Sequence, residues 1–194
     1  MGPGLPPGWQ GRAVSGFALP DVTMVETDTG RALRLAGTRR AGWVHRDLRN
    51  AQHPADDPLR WSWRVTEAPT GSDLATKAAD DSPIRVYVIF GNPRFILSGS
   101  GRVLVYSFGN NEPDGYHRPS YSTGRIHVIK VDGASMRGLW RDHEVDPGAD
   151  YRKIWNRNPP PITGIGLMQD TDQTGARAVA EVRHLTLGGG KLSN

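Results

Sequence analysis

Cysteine is absent from the 194 residues. That excludes disulfides, thiolate metal ligands and a cysteine nucleophile. Long hydrophobic runs are absent as well, and no stretch reaches the roughly 18 apolar residues a membrane-spanning helix needs. The N-terminus, MGPGLPPGWQ, has neither a basic segment nor an apolar one, so it does not read as a signal peptide. No Gly-rich phosphate loop, GxSxG elbow or HExxH pair occurs. The six histidines, His45, His53, His117, His127, His143 and His184, stand apart from one another, which argues against a transition-metal centre. The formal net charge is +4, but the basic residues are mostly arginines scattered along the chain. No Lys/Arg block forms a nucleic-acid footprint.

Glycine (24) and proline (15) are plentiful, which fits short strands joined by turns better than a helical bundle. Strand-like segments follow one another: RAVSGFAL, TMVETD, RALRLA, GWVHRDL, LRWSWRV, IRVYVIF, RVLVYSF, RIHVIKV, MRGLWRDHEV, ITGIGLM and RAVAEVRHLTL. In LRWSWRV the alternation puts Leu59, Trp61, Trp63 and Val65 on one face, with Arg60, Ser62 and Arg64 on the other. In IRVYVIF it separates Ile84, Val86, Val88 and Phe90 from Arg85, Tyr87 and Ile89. One helix is expected in DPGADYRKIWNRN, capped at Asp146 or starting at Asp150 and stopped by NPPP. The tail GGGKLSN reads as frayed. The pattern predicts an all-β fold: a two-sheet antiparallel β-sandwich of jelly-roll type with one short helix. It forms a single domain over residues 1–194, with a core from about 5 to 188.

Three segments carry candidate chemistry. In ATKAADDSPIRVYVIF, Lys77, Asp80 and Asp81 precede a strand whose outer face carries Arg85 and Tyr87. They form either a solvated loop with a weak surface ion pair or the rim of a ligand-binding sheet face. In MQDTDQTGARA, Asp170 and Asp172 bring oxygens together as Ca²⁺ requires, without the spacing of an EF-hand loop. Ordinary turn chemistry explains the same residues. In VYSFGNNEPDGYHRPSYSTGR, the residues Asn110, Asn111, Glu112, Asp114, Tyr116, His117 and Tyr121 belong to a long connection. Such loops often serve binding. Tyr106 is expected to share the polar face with Arg85. Asp80, Asp81, Glu112, Asp170 and Asp172 supply enough carboxylates for glycoside hydrolysis, if their spacing allows.

LPPGW, LRWSWRV, TKAADDSPIRVYVIF, LVYSFGNNEP and ITGIGLMQDTDQTGARAVAEV occur in this order. Together they resemble the bacterial family called domain of unknown function 3047, over about residues 5 to 188. The Lys-plus-double-Asp segment and the Asp-Thr-Asp-x-Thr-Gly segment are the most specific parts of that resemblance. It implies a periplasmic or secreted protein, whose leader is not in this chain. It assigns no catalytic residue. The chain departs from the usual motif at Ser107, where a tryptophan is common. The leading expectation is carbohydrate binding, to a polysaccharide or oligosaccharide, through Lys77, Asp80, Asp81, Arg85, Tyr87, Tyr106 and Asn110. Either no cofactor is involved, or Ca²⁺ is held at Asp170 and Asp172. A glycoside hydrolase or lyase on the same scaffold is the second reading, with Lys77, Arg85, Tyr87 and Tyr106 meeting an acidic sugar. A structural domain with a buried Lys–Asp–Arg network is the third.

Overall fold

The computed structural model describes residues 4–51, 53–92 and 100–192. Thirteen strands and one helix are present among them: β1 (Trp9–Ala13), β2 (Asp21–Thr27), β3 (Gly30–Thr38), β4 (Ala41–Asp47), β5 (Leu59–Glu67), β6 (Ser82–Phe90), β7 (Arg102–Phe108), β8 (His117–Pro119), β9 (Ile126–Asp132), β10 (Arg141–Val145), α1 (Pro147–Trp155), β11 (Ile162–Asp170), β12 (Arg177–Leu187) and β13 (Gly190–Lys191). They form two facing sheets. One has the order β1-β4-β11-β6-β7-β9-β8; the other has β10-β5-β12-β3-β2, with β13 added beside β12. This is the expected β-sandwich of jelly-roll type. One pair, β7 with β9, is parallel, because β8 fills the connection between them and pairs antiparallel with β9.

The period-2 alternation of the strands builds the core. Ile84, Val86, Val88 and Phe90 of β6 are fully buried, as are Leu59 and Trp63 of β5, with Trp61 and Val65 nearly so. All eight belong to one apolar cluster between the sheets. Burying each such side chain contributes about 1.5–3 kcal/mol. Trp61 and Trp63 meet edge to face at 5.5 Å. Helix α1 begins where Asp146 caps it, its carboxylate accepting from the Ala149 N–H at 2.8 Å. The helix ends at Asn156, in left-handed conformation. Its Tyr151 packs on Phe90 at the edge of the core.

Three strand-level expectations change. RAVSGFAL is not one strand: β1 starts earlier, at Trp9, and stops at Ala13. MRGLWRDHEV is strand only from Arg141, after a 3₁₀ turn at Ala134–Met136. The tail is tied down as far as Leu192, which is buried. The Leu192 carbonyl accepts from the Trp9 indole at 2.9 Å, and its N–H donates to Leu185 at 2.8 Å. Residues 193–194 lie outside the described residues.

Candidate functional site

The outer face of the seven-stranded sheet is hollowed into a groove of about 910 Å³, at the upper end of the range for small-molecule sites. Strand register arranges the outer face of this sheet in three rows, of which only part lines the groove. The first is Arg12, Trp43, Met168, Arg85, Ser107 and Lys130; the second is Gln10, His45, Gly166, Tyr87, Val105 and Val128; the third is Asp47, Gly164, Ile89, Val103 and Ile126. Two glycines of β11 lie in the middle of this face, Gly164 beside Ile89 and Gly166 beneath the Tyr87 ring. A side chain at Gly166 would fall 2.3 Å from the Tyr87 hydroxyl, so the phenol of Tyr87 lies across β11 towards β4. Burial pushes the Tyr87 phenol well above its ordinary range, so it stays protonated.

The charged loop ahead of β6 closes one flank. Asp80 lies between two guanidiniums: Oδ1 is 2.9 Å from Arg85 and 2.7 Å from Arg118. Arg85 also reaches Asp170 at 3.3 Å. Arg118 lies over the ring of Tyr121 at 3.8 Å, and Tyr121 walls the groove. Asp81 is buried and faces the other way, accepting from the Thr174 N–H at 2.8 Å, the Thr174 hydroxyl at 2.6 Å and the Gln173 N–H at 3.2 Å. The two segments singled out in the sequence are thus clamped together. Lys77 is exposed on the rim and makes no ion pair among the described residues.

At the end of the groove, oxygens of Asp81, Asp170 and Asp172 lie within 4.8 Å of one another. Burial pushes the Asp170 carboxyl up to about 7; Asp172 and Asp81 add to this, and Arg85 opposes it. Burial and neighbouring Asp81 and Asp80 raise Asp172 as well. One oxygen on each of Asp170 and Asp172 is buried with no hydrogen-bond donor among the described residues. These three carboxylates are the residues that could hold a divalent cation; without one, sharing a proton relieves the same repulsion.

The expected residues therefore separate. Lys77, Asp80, Arg85, Tyr87, Asp170 and Asp172 line the groove, while Asp81 stands behind it as a clamp. Tyr106 does not face the groove. It pairs with Val86 rather than Arg85, so strand parity turns it into the core beside Trp61, where its hydroxyl donates to Asp150 at 2.8 Å. Ser107, its neighbour, takes the outward position. Asn110 belongs to a separate hollow of about 290 Å³ with Asn111, Glu112 and Tyr116. Its amide donates to the Ser72 carbonyl, and Glu112 is buried, bonding the N–H groups of Leu74 and Asn110. Arg12, Trp43 and His45 line the groove without having been singled out. For Trp43 and His45 the signal was present in GWVHRD, where Trp43, His45 and Asp47 alternate with the core residue Val44; Arg12 had none of its own.

No curated protein matches the chain by sequence. Among solved structures, the cellulose-induced protein Cip1 aligns with a TM-score of 0.50 at 14% identity, covering 96% of this chain and 93% of that one. A family 11 carbohydrate-binding module of the cellulosomal cellulase Lic26A-Cel5E of Clostridium thermocellum aligns at 0.49 with 10% identity, covering 93% and 86%. The family GH12 endoglucanase 3 of Trichoderma harzianum aligns at 0.49 with 10% identity, covering 95% and 92%. At these identities the likeness is one of fold. The sequence itself is more specific: residues 7–186 match the family described as Protein of unknown function (DUF3047), and the chain belongs to that family.

Proposed function

We propose that the outer groove of the seven-stranded sheet binds a carbohydrate chain, with Trp43 and Tyr87 supplying apolar surface for sugar rings and Lys77, Arg12 and Asp172 meeting their polar groups. The observation that carries this reading is the groove itself. It is a wide hollow whose floor carries Trp43 and Tyr87 and whose rim is polar and charged, and Gly166 makes room for the Tyr87 ring to lie across the middle strand. A chain of sugars presents the complementary surface: apolar C–H faces with hydroxyls at the edges. Trp43 is the test residue. It is half-buried and lies on the floor, with the Arg12 guanidinium 5.7 Å from its ring. Trp43→Ala is expected to weaken binding to a recognised soluble polysaccharide by about tenfold, roughly 1.4 kcal/mol, in a protein that stays folded but is somewhat less stable, because Trp43 packs on Tyr87, Val103 and their neighbours. Affinity electrophoresis over neutral and acidic polysaccharides measures this. Absence of retardation by every polymer overturns the reading.

A further inference from the structure

The groove is lined by a histidine, a phenol and a guanidinium: His45, Tyr87 and Arg12. His45 and Tyr87 share one cross-sheet row, separated only by Gly166 on the strand between them. Their backbones are two strand spacings apart, about 10 Å, and the Tyr87 phenol bridges part of that distance by lying over Gly166. Arg12 rises from the neighbouring edge strand, exposed and with no ion pair to a carboxylate among the described residues. The carboxylates are otherwise committed. Both oxygens of Asp47 are held by Arg49, Asp80 by Arg85 and Arg118, and Asp170 and Asp172 are bunched at one end. No described pair straddles the middle of the groove as glycoside hydrolysis demands.

Resting on the carbohydrate reading above, we propose that this groove cleaves a uronate-bearing polysaccharide by β-elimination, with Arg12 neutralising the sugar carboxylate, His45 taking the C5 proton and Tyr87 protonating the leaving oxygen. The step balances without water, metal or oxidant. The C5–H bond breaks and its proton goes to the imidazole. The electron pair forms the C4=C5 double bond, the C4–O glycosidic bond breaks, and the departing oxygen takes the phenolic proton. The products are a new non-reducing end bearing an unsaturated uronate and a shortened chain. The imidazolium then returns its proton through solvent to the phenolate.

The protonation states agree with these roles. Burial holds His45 below the usual imidazole range, and nearby Arg12 reinforces this against Asp47, so the ring is a neutral base at neutral pH. The phenol of Tyr87 is kept as an acid. A guanidinium paired with the sugar carboxylate makes the C5 proton easier to remove, because the carbanionic charge that develops there spreads onto that carboxylate.

The test incubates the whole protein with polygalacturonate, alginate and hyaluronate, with a neutral mixed-linked glucan as control. It follows the ultraviolet absorbance of the C4=C5 bond, reducing ends and binding in parallel. The expected result is unsaturated product from at least one uronate polymer, with activity falling in acid only below the ordinary imidazole range, because burial lowers the His45 ring. His45→Gln and Tyr87→Phe should each lose at least about 100-fold in rate while still binding the polymer and keeping the unfolding temperature. Arg12→Ala should mainly raise KM. Uronate polymers bound but left intact, or new reducing ends without unsaturation, overturn elimination and leave the binding reading standing. Binding of the neutral glucan alone also overturns it. Failure to bind any glycan overturns both.

Discussion

Asp80→Ala is expected to destabilise the protein by about 3–5 kcal/mol. Its carboxylate is the shared counter-charge of Arg85 and Arg118, whose side chains are only 7% and 10% exposed. Removing it leaves two guanidiniums side by side in a poorly hydrated flank, with Asp170 at 3.3 Å as the one remaining carboxylate on Arg85 among the described residues and the Asp80 main-chain carbonyl at 2.9 Å as its neutral acceptor. The cost is that of stranding buried charges, and it exceeds what an exposed ion pair contributes. Asp80→Asn keeps the shape and one hydrogen-bond acceptor, so it should fall between wild type and the alanine variant. Urea unfolding followed by circular dichroism measures both. A loss under about 1 kcal/mol for Asp80→Ala would show that water, not this carboxylate, compensates the arginines. Polysaccharide binding measured on whatever folded protein remains then tells whether Asp80 also meets a ligand.

That network explains how much of the molecule was readable from the chain. The two-layer fold was legible because strict alternation in LRWSWRV and IRVYVIF marks buried faces by itself. The placement of Arg85 and Tyr87 on the outward face followed from the same parity. Parity also explains the failure at Tyr106. Which face of β7 meets Arg85 depends on register with β6, and register is set by pairing in space: Arg85 stands opposite Ser107 and Val86 opposite Tyr106. The role of Asp81 was unreadable for a related reason. Its partners, Thr174 and Gln173, lie more than ninety residues away in the chain. A double-Asp loop looks the same whether its carboxylates face water or cap a distant turn.

The groove was half legible. ITGIGLM announces two glycines on one face of an otherwise apolar strand, a place where something must approach closely. What approaches is the Tyr87 side chain, and this appears only once β11 is known to lie between β4 and β6. The same order brings His45 into line with Tyr87, residues from strands that are not neighbours in sequence. The tail misled for the opposite reason. Three consecutive glycines look frayed, yet they form a tight turn. Gly188 and Gly189 take positive φ there, so that β13 can pair back on β12 and seat Leu192 against Leu185.

Asp170→Asn is expected to flatten the pH dependence of stability in the window from about pH 4 to pH 7. Asp170 ionises from 3.8 in the unfolded chain, and burial beside Asp172 and Asp81 pushes it up to about 7 in the folded one. Between those values the folded protein carries a proton that the unfolded chain has released. Stability therefore falls as pH rises through the window and levels off above it. The total loss is at most about 4 kcal/mol, at 1.36 kcal/mol per pH unit, and less to the extent that Asp172 shares the titration. The neutral amide removes this slope while leaving Asp80 to face Arg85. Wild type and variant should thus converge near pH 4, with the variant gaining on wild type towards pH 8. Urea unfolding at four pH values across this range measures the two curves, and parallel curves would refute the assignment. Calcium chloride in the same series separates the two ways of neutralising the cluster. A cation held by the three carboxylates raises wild-type stability at pH 8, loses its effect at pH 5 where Asp170 is protonated, and leaves Asp170→Asn unmoved. A shared proton leaves both proteins indifferent to the salt beyond ordinary screening.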